Sequence, residues 1–167
     1  EPLPRAAVGA TAGYGEYMLA VTSSHFGSAE KEFRFPLGYA SQRPLSAHWT
    51  VTGSGAFLVG SAEKPGGAGQ DKYENSEVRQ EKSHVRISGV TVGKIVDYGL
   101  KDSQNMGACM APAAMDTIVR NFEDMGRTEQ DYDRIITGDL GYVGQSILFD
   151  LVRGKGYDIR ERHLDCG

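Results

Sequence analysis

The stretch that decides the fold reads IITGDLGYVGQSILFDLVRG over residues 135–154. Its first three residues are apolar or β-branched and predict a short buried strand over 135–137. A loop with two glycines and one acid follows. A helix is predicted over 142–153, because apolar residues recur there at three-to-four spacing, and Gly154 ends it. We expect this helix to bury five residues: Val143, Ile147, Leu148, Leu151 and Val152.

A similar pattern precedes this stretch. Residues 85–96 alternate in a way that predicts a strand, and residues 111–125 predict a helix with one apolar face. Gly126 stands where a helix commonly ends, and Thr128 and Asp131 have the spacing of a capping box. Strand, helix, strand and helix with short connections predict an α/β sandwich with parallel pairing.

The first part of the chain predicts three elements. Small residues over 6–15 are typical of the end of a tightly packed helix and a turn. Residues 17–22 form a continuous apolar run, which predicts a strand buried on both faces. Residues 49–60 combine β-branched and aromatic residues with glycines, which predicts a strand or hairpin.

Residues 62–83 are glycine-rich and charged, as in a solvated linker. The predicted division is therefore 1–61, 62–83 and 84–167. The chain stops at Asp165-Cys166-Gly167 without a recognisable terminal element, so we expect a fragment, or a protein whose other parts were lost or cleaved.

Composition excludes several classes of function. The net charge of −4 provides no basic field, so we expect no nucleic-acid partner. No run approaches the roughly 18 apolar residues that span a bilayer. Cys109 and Cys166 are too few for a disulfide framework and lack metal-ligand spacing, which indicates an intracellular, reducing compartment. We expect neither a metal nor a cofactor.

The loop at 138–141 follows a predicted strand and precedes a helix, where α/β proteins commonly bind ligands. Its glycines would allow close approach, and the helix N-terminus would favour an anion. The alternative is a tight turn in which Asp139 caps the helix. The spacing of a phosphate-binding loop is absent.

Other candidate residues are scattered. Cys109 precedes the predicted helix and could act as a nucleophile, although packing is the simpler interpretation, since activation needs an adjacent base. The four histidines lack metal-ligand spacing, and we single out His25 because it follows a predicted strand. Asn105 lies in a polar loop that enters a helix, where capping is the ordinary role.

A cationic and aromatic mixture occupies residues 31–43. Lys31, Arg34 and Arg43 are interleaved with phenylalanine and tyrosine. Such groups could hold a small aromatic carboxylate through charge-assisted hydrogen bonds and ring stacking. An ordinary surface hairpin or a subunit contact would have the same composition.

Several strings, taken in order, resemble the stage V sporulation protein AD family, a thiolase-like family of endospore-forming bacteria. They are TSSH at 22–25, AEKEFRFP at 29–36, WTVTGSGA at 49–56, NMG at 105–107, MAPAA at 110–114, TGDLG at 137–141 and DCG at 165–167. The likeness runs along nearly the whole chain, except at the linker over 62–83, which looks longer than the family's.

The resemblance implies a thiolase-like, layered α-β-α fold of two similar halves, usually dimeric. This chain would hold the end of the first half and the start of the second. In condensing enzymes of this fold a cysteine of the first half attacks the acyl group, and that region would lie upstream of Glu1. Such enzymes often carry a histidine in the loop that here reads GDLG at 138–141. The resemblance therefore implies a scaffold without catalytic residues, with an acyltransferase or condensing enzyme as the alternative.

The resemblance also implies a ligand and a place of action. The family that this chain resembles binds dipicolinic acid, or its calcium chelate, during uptake into the developing spore. It acts there together with membrane proteins of the same operon. We therefore expect an intracellular homodimer, peripheral to the spore inner membrane. The ligand-binding candidates are His25, Lys31, Arg34, Arg43, Asn105 and Asp139.

Overall fold

The computed structural model describes residues 2–24, 45–48, 52–61, 85–102 and 104–166. It is a mixed α/β structure that divides into two compact units. Among the described residues, the first unit comprises 2–24, 53–61 and 85–90. The second comprises 45–48, 52, 91–102 and 104–166.

The first unit consists of one helix and a two-stranded sheet. Helix α1 (Pro2–Thr11) leads through a turn into strand β1 (Tyr17–Ser24), which pairs antiparallel with strand β2 (Gly53–Gly60). The helix buries its small residues, and Gly9 lets the side chain of Met18 approach closely. The prediction of a small-residue helix end followed by a turn is confirmed.

Strand β1 is confirmed, but the prediction that it is buried on both faces is wrong. Ala20 is buried, whereas the cross-strand neighbours Leu19 and Leu58 are 65% and 69% exposed. In the described part of this unit a single helix covers the sheet, so side chains on the opposite face stay accessible. The predicted strand at 49–60 is confirmed for the part that β2 occupies. Residues 49–51 lie outside the described ranges.

The second unit is built on two helices and a short parallel sheet. Helix α2 (Met106–Met125) is followed by a 3-10 turn (Glu129–Asp131), strand β3 (Ile135–Thr137), helix α3 (Gly141–Arg153) and strand β4 (His163–Asp165). Strands β3 and β4 pair in parallel, with Ile135 opposite His163 and Thr137 opposite Asp165. The core residues are Ala111, Met115, Val119, Phe122, Leu140, Leu148, Val152 and Ile159.

Local sequence signals are confirmed at several element ends. Gly126 ends α2 in the left-handed region, with φ of 60°. Thr128 and Asp131 form the capping box, in which an Asp131 side-chain oxygen accepts from the Thr128 N–H at 2.8 Å. Helix α3 begins one residue earlier than predicted, and Gly154 follows it.

Helix α2 begins five residues before the predicted start. Pro112 favours a helix start close to itself, because proline is best tolerated in a first turn. In the structure Asn105 caps the helix, its side chain accepting from the Ala108 N–H at 3.2 Å, and Pro112 lies within the helix.

The predicted strand over 85–96 is wrong. Residues 85–102 form no helix or strand, and the side chains of Val85 and Ile95 are 93% and 96% exposed. The later part of this segment is attached to α2 through side chains: Asn121 donates to the Thr91 hydroxyl at 2.8 Å, and Lys94 pairs with Asp116 at 2.8 Å. Alternating residues favour a strand, but a strand also requires a ladder partner.

Strand β4 corrects the expectation that 165–167 lacks a terminal element. Strand β4 has only three residues, which is too few to show the alternation of apolar and polar residues that predicts a strand. Its pairing partner, β3, also lies far away in the sequence.

Every helix among the described residues is too short or too polar to span a bilayer.

Two glycines allow helices α2 and α3 to meet. A Cβ atom on Gly107 would lie 2.0 Å from the Leu140 carbonyl oxygen, and one on Gly144 would lie 2.7 Å from the Gly107 Cα. Both distances are far below van der Waals contact, and the obstacles are backbone atoms that cannot rotate away. The helices therefore touch at backbone distance, beside the loop that follows β3.

Alanine at Gly107 or at Gly144 should lower the free energy of unfolding by about 1–3 kcal/mol, because overpacking forces the backbone apart. Urea unfolding followed by circular dichroism measures the change. Gly138→Ala is the matched control, since a Cβ there meets no atom within 4 Å, and it should stay within about 0.5 kcal/mol of the wild type. Equal stability of the Gly107 and Gly138 variants would contradict the close contact.

Candidate functional site

The carboxyl ends of β3 and β4 lie side by side, next to the N-terminus of α3. The loop 138–140 leaves β3 there, and Asp165 ends β4. In parallel sheets this edge is where ligands commonly bind. Polar side chains of four separate segments, around 48, 139, 145 and 163, converge on it.

His163 is the most buried polar residue of this edge, with 8% of its surface exposed. Its Nε2 lies 2.9 Å from the Thr137 hydroxyl, and its Nδ1 lies 3.2 Å from the Gln145 side-chain nitrogen. Because an amide nitrogen donates, Nδ1 accepts, and Nε2 carries the hydrogen given to Thr137. The ring also meets the edge of Phe149. The arrangement therefore holds a neutral imidazole.

Burial lowers the pKa of His163 below its usual value of 6.5, and the Asp165 carboxylate opposes this in part. Transfer from water disfavours the charged form of an imidazole. His163 consequently joins β3, β4 and α3 as a neutral hydrogen-bonding group.

The N-terminus of α3 is occupied by acceptors of the protein itself. Asp165 accepts from the Leu140 N–H at 2.9 Å, and Asp139 Oδ1 accepts from the Gly141 N–H at 3.1 Å. The Leu45 carbonyl accepts from the Val143 N–H at 3.1 Å. These three donors are therefore satisfied without an external anion. The geometry favours the interpretation of Asp139 as a helix-entry residue.

Gly141 has a positive φ of 63°, and a Cβ there would lie 2.7 Å from the Ala47 carbonyl oxygen. Segment 45–48 therefore packs directly on the start of α3. It carries His48, whose Nδ1 lies 2.8 Å from the Asp139 carbonyl oxygen and 3.6 Å from Asp139 Oδ1.

Of the predicted ligand-binding residues, Asn105 and Asp139 are described. Asn105 precedes Gly107, which contacts the Leu140 carbonyl, so the structure brings the two chain segments together. The Asn105 side chain itself accepts from Ala108, as a helix cap. His25, Lys31, Arg34 and Arg43 lie outside the described residues.

Sequence reasoning missed His48 and His163. His48 contacts a residue that is 91 positions away in the sequence, and His163 contacts residues that are 26 and 18 positions away. No local motif could therefore reveal either histidine.

Cys109 is exposed, and its thiol lies 4.0 Å from the Leu100 carbonyl oxygen. Among the described residues, the Cys109 thiol thus contacts a carbonyl oxygen and not an imidazole. A carbonyl oxygen is not a base that could activate the thiol as a nucleophile. Among the same residues, no group of three His, Cys, Asp or Glu side chains could hold a metal.

Stability should fall as the pH drops below about 6.5, by at most about 1.4 kcal/mol per pH unit for one proton. Because the pKa of His163 is lower in the folded protein than in the unfolded chain, His163 binds a proton in the unfolded chain at pH values where it stays neutral in the folded protein. The stability that neutral His163 contributes is fully present above the pKa of His163 in the unfolded chain. It is lost progressively as the pH falls below that value. The difference between the urea unfolding midpoints at pH 5 and at pH 7.5 should be smaller for His163→Gln than for the wild type. An unchanged separation would contradict this role.

Comparison with known proteins places the chain in one family. The family model described as stage V sporulation protein AD matches residues 1–167. The chain is 42% identical over 155 residues to the stage V sporulation protein AD of Bacillus subtilis (strain 168). That match covers 93% of this chain and 40% of the relative, so the chain spans well under half of the relative's length. The chain belongs to the stage V sporulation protein AD family.

Proposed function

We propose that this chain is part of a sporulation protein that binds dipicolinic acid, or its calcium chelate, during uptake into the developing spore. The observation that carries the proposal is the family match along the whole chain. The polar edge formed by β3, β4 and the start of α3 lies where parallel sheets commonly bind ligands.

The scaffold in this proposal is thiolase-like, with layered α-β-α halves. Residues 1–61 belong to the end of the first half, 62–83 to a linker, and 84–167 to the start of the second half. The mixed α/β composition and the parallel pair β3–β4 with helix α3 between its strands support this assignment.

The scaffold binds its ligand without catalysing acyl transfer. A condensing enzyme needs a nucleophilic cysteine beside a base. The described contact of the Cys109 thiol is with a backbone carbonyl, and the loop at 138–141 contains no histidine. The loop without a histidine favours binding over acyl transfer, whereas the Cys109 contact argues only against Cys109 as the nucleophile, since the resemblance puts the reactive cysteine upstream of Glu1.

The ligand is a pyridine ring with two carboxylates, which suits cationic and aromatic partners. His25, Lys31, Arg34 and Arg43 supply the positive charge in this proposal. Asp139 and Asn105 supply oxygens, which suit the calcium chelate, because Ca²⁺ prefers oxygen ligands.

The proposal also gives the protein its partners and location. It acts as a homodimer at the periphery of the spore inner membrane, with membrane proteins of the same operon. Co-purification with those proteins from sporulating cells tests this part separately from ligand binding.

Titration calorimetry of the complete protein with dipicolinate, with and without Ca²⁺, should give saturable binding. Arg34→Gln should weaken it at least about tenfold, because a charge-assisted hydrogen bond contributes roughly 1.5–3 kcal/mol. Glu30→Gln is the matched control and should bind like the wild type or slightly more tightly.

Isophthalate, which lacks the ring nitrogen, is the control ligand and should bind more weakly in the presence of Ca²⁺. Absence of heat at millimolar dipicolinate would contradict the proposal. A mass increase on a cysteine after incubation with an acyl-CoA would favour the acyltransferase instead.

A further inference from the structure

His48 is held by one of its two ring nitrogens. Nδ1 lies 2.8 Å from the Asp139 carbonyl oxygen, which can only accept, so Nδ1 carries a hydrogen and donates it. This bond sets the orientation of the ring and leaves Nε2 as the group with remaining hydrogen-bonding capacity.

The Nε2 atom of His48 is buried and has no hydrogen-bond partner within the described structure. The whole side chain is only 14% exposed. Buried polar atoms without a partner are rare in native proteins and call for a physical reason. A ligand atom that completes the hydrogen bond is one such reason.

The backbone that carries His48 is firmly placed. Leu45 accepts a hydrogen bond from Val143, and the Ala47 carbonyl packs against Gly141. The imidazole is therefore held beside the loop that follows β3, where α/β proteins bind ligands. A binding group held by its neighbours before the ligand arrives loses little freedom on binding.

We propose that His48 is a ligand-binding residue whose Nε2 donates a hydrogen bond to a carboxylate of the bound dicarboxylate, with Asp139 as its positioning residue. The inference rests on the proposed function, and it names one contact within it. In the bound state the imidazole is protonated at both nitrogens, with Nδ1–H on the Asp139 carbonyl and Nε2–H on the ligand. A charged donor and a carboxylate form the stronger class of hydrogen bond.

Two substitutions separate the ring nitrogens. The amide nitrogen of His48→Asn takes the place of Nδ1, so it keeps the bond to Asp139 but removes the group that faces the ligand. The amide nitrogen of His48→Gln takes the place of Nε2 and keeps a donor for the ligand. In titrations of the complete protein with dipicolinate, His48→Asn should bind at least tenfold more weakly than the wild type. His48→Gln should bind more tightly than His48→Asn.

Binding by His48→Asn within twofold of the wild type would overturn the inference and leave the proposed function standing. No binding by the wild type would overturn both. A measurement on the wild type covers the case in which the variants do not fold. In ¹⁵N-histidine spectra recorded at saturating dipicolinate, the His48 Nε2 resonance should lie at the position of a protonated nitrogen. A resonance at the position of an unprotonated nitrogen would also overturn the inference.

Discussion

The second unit depends on the backbone contact between Gly107 and Gly144. Side chains at either position would push helices α2 and α3 apart, because the opposing atoms are a carbonyl oxygen and a Cα atom. With both positions open, the start of α2 lies against Leu140. The loop between β3 and α3 is therefore held from the side by a helix terminus as well as by its own strand and helix.

That constraint holds the loop between β3 and α3 in place. Leu140 is buried in the core, while its N–H is bonded to Asp165 and its carbonyl faces Gly107. The loop is thus anchored at its centre. Asp139 lies one residue before this anchor and supplies the carbonyl that orients His48. Packing and backbone hydrogen bonding fix Leu140, and the residue before it orients the side chain of His48.

The hydrogen bonds of α3 bear on the proposed binding of an anion at this edge of the sheet. A free helix N-terminus attracts negative charge, but here Asp139, Asp165 and the Leu45 carbonyl take the donors of Leu140, Gly141 and Val143. In the proposed function, the positive charge that a dicarboxylate needs therefore comes from side chains, which are His48 and the cationic residues of the 31–43 segment, and not from the helix dipole.

Features encoded by neighbouring residues were predictable from the sequence. The apolar face of α3, the glycine after α2 and the Thr128–Asp131 capping box depend on residues within about one turn of each other. Features that depend on distant partners were not. The alternating residues of 85–96 lacked a ladder partner, and His48 meets Asp139 across 91 residues. The family resemblance was recognisable because it uses many short strings in order, which no single motif could match.

The most direct test of the account is a crystal structure of the complete protein with bound dipicolinate. We expect ligand density at the carboxyl end of β3, with a carboxylate oxygen within hydrogen-bond distance of His48 Nε2. Density at another place, with His48 Nε2 bonded to a residue of the protein, would contradict it.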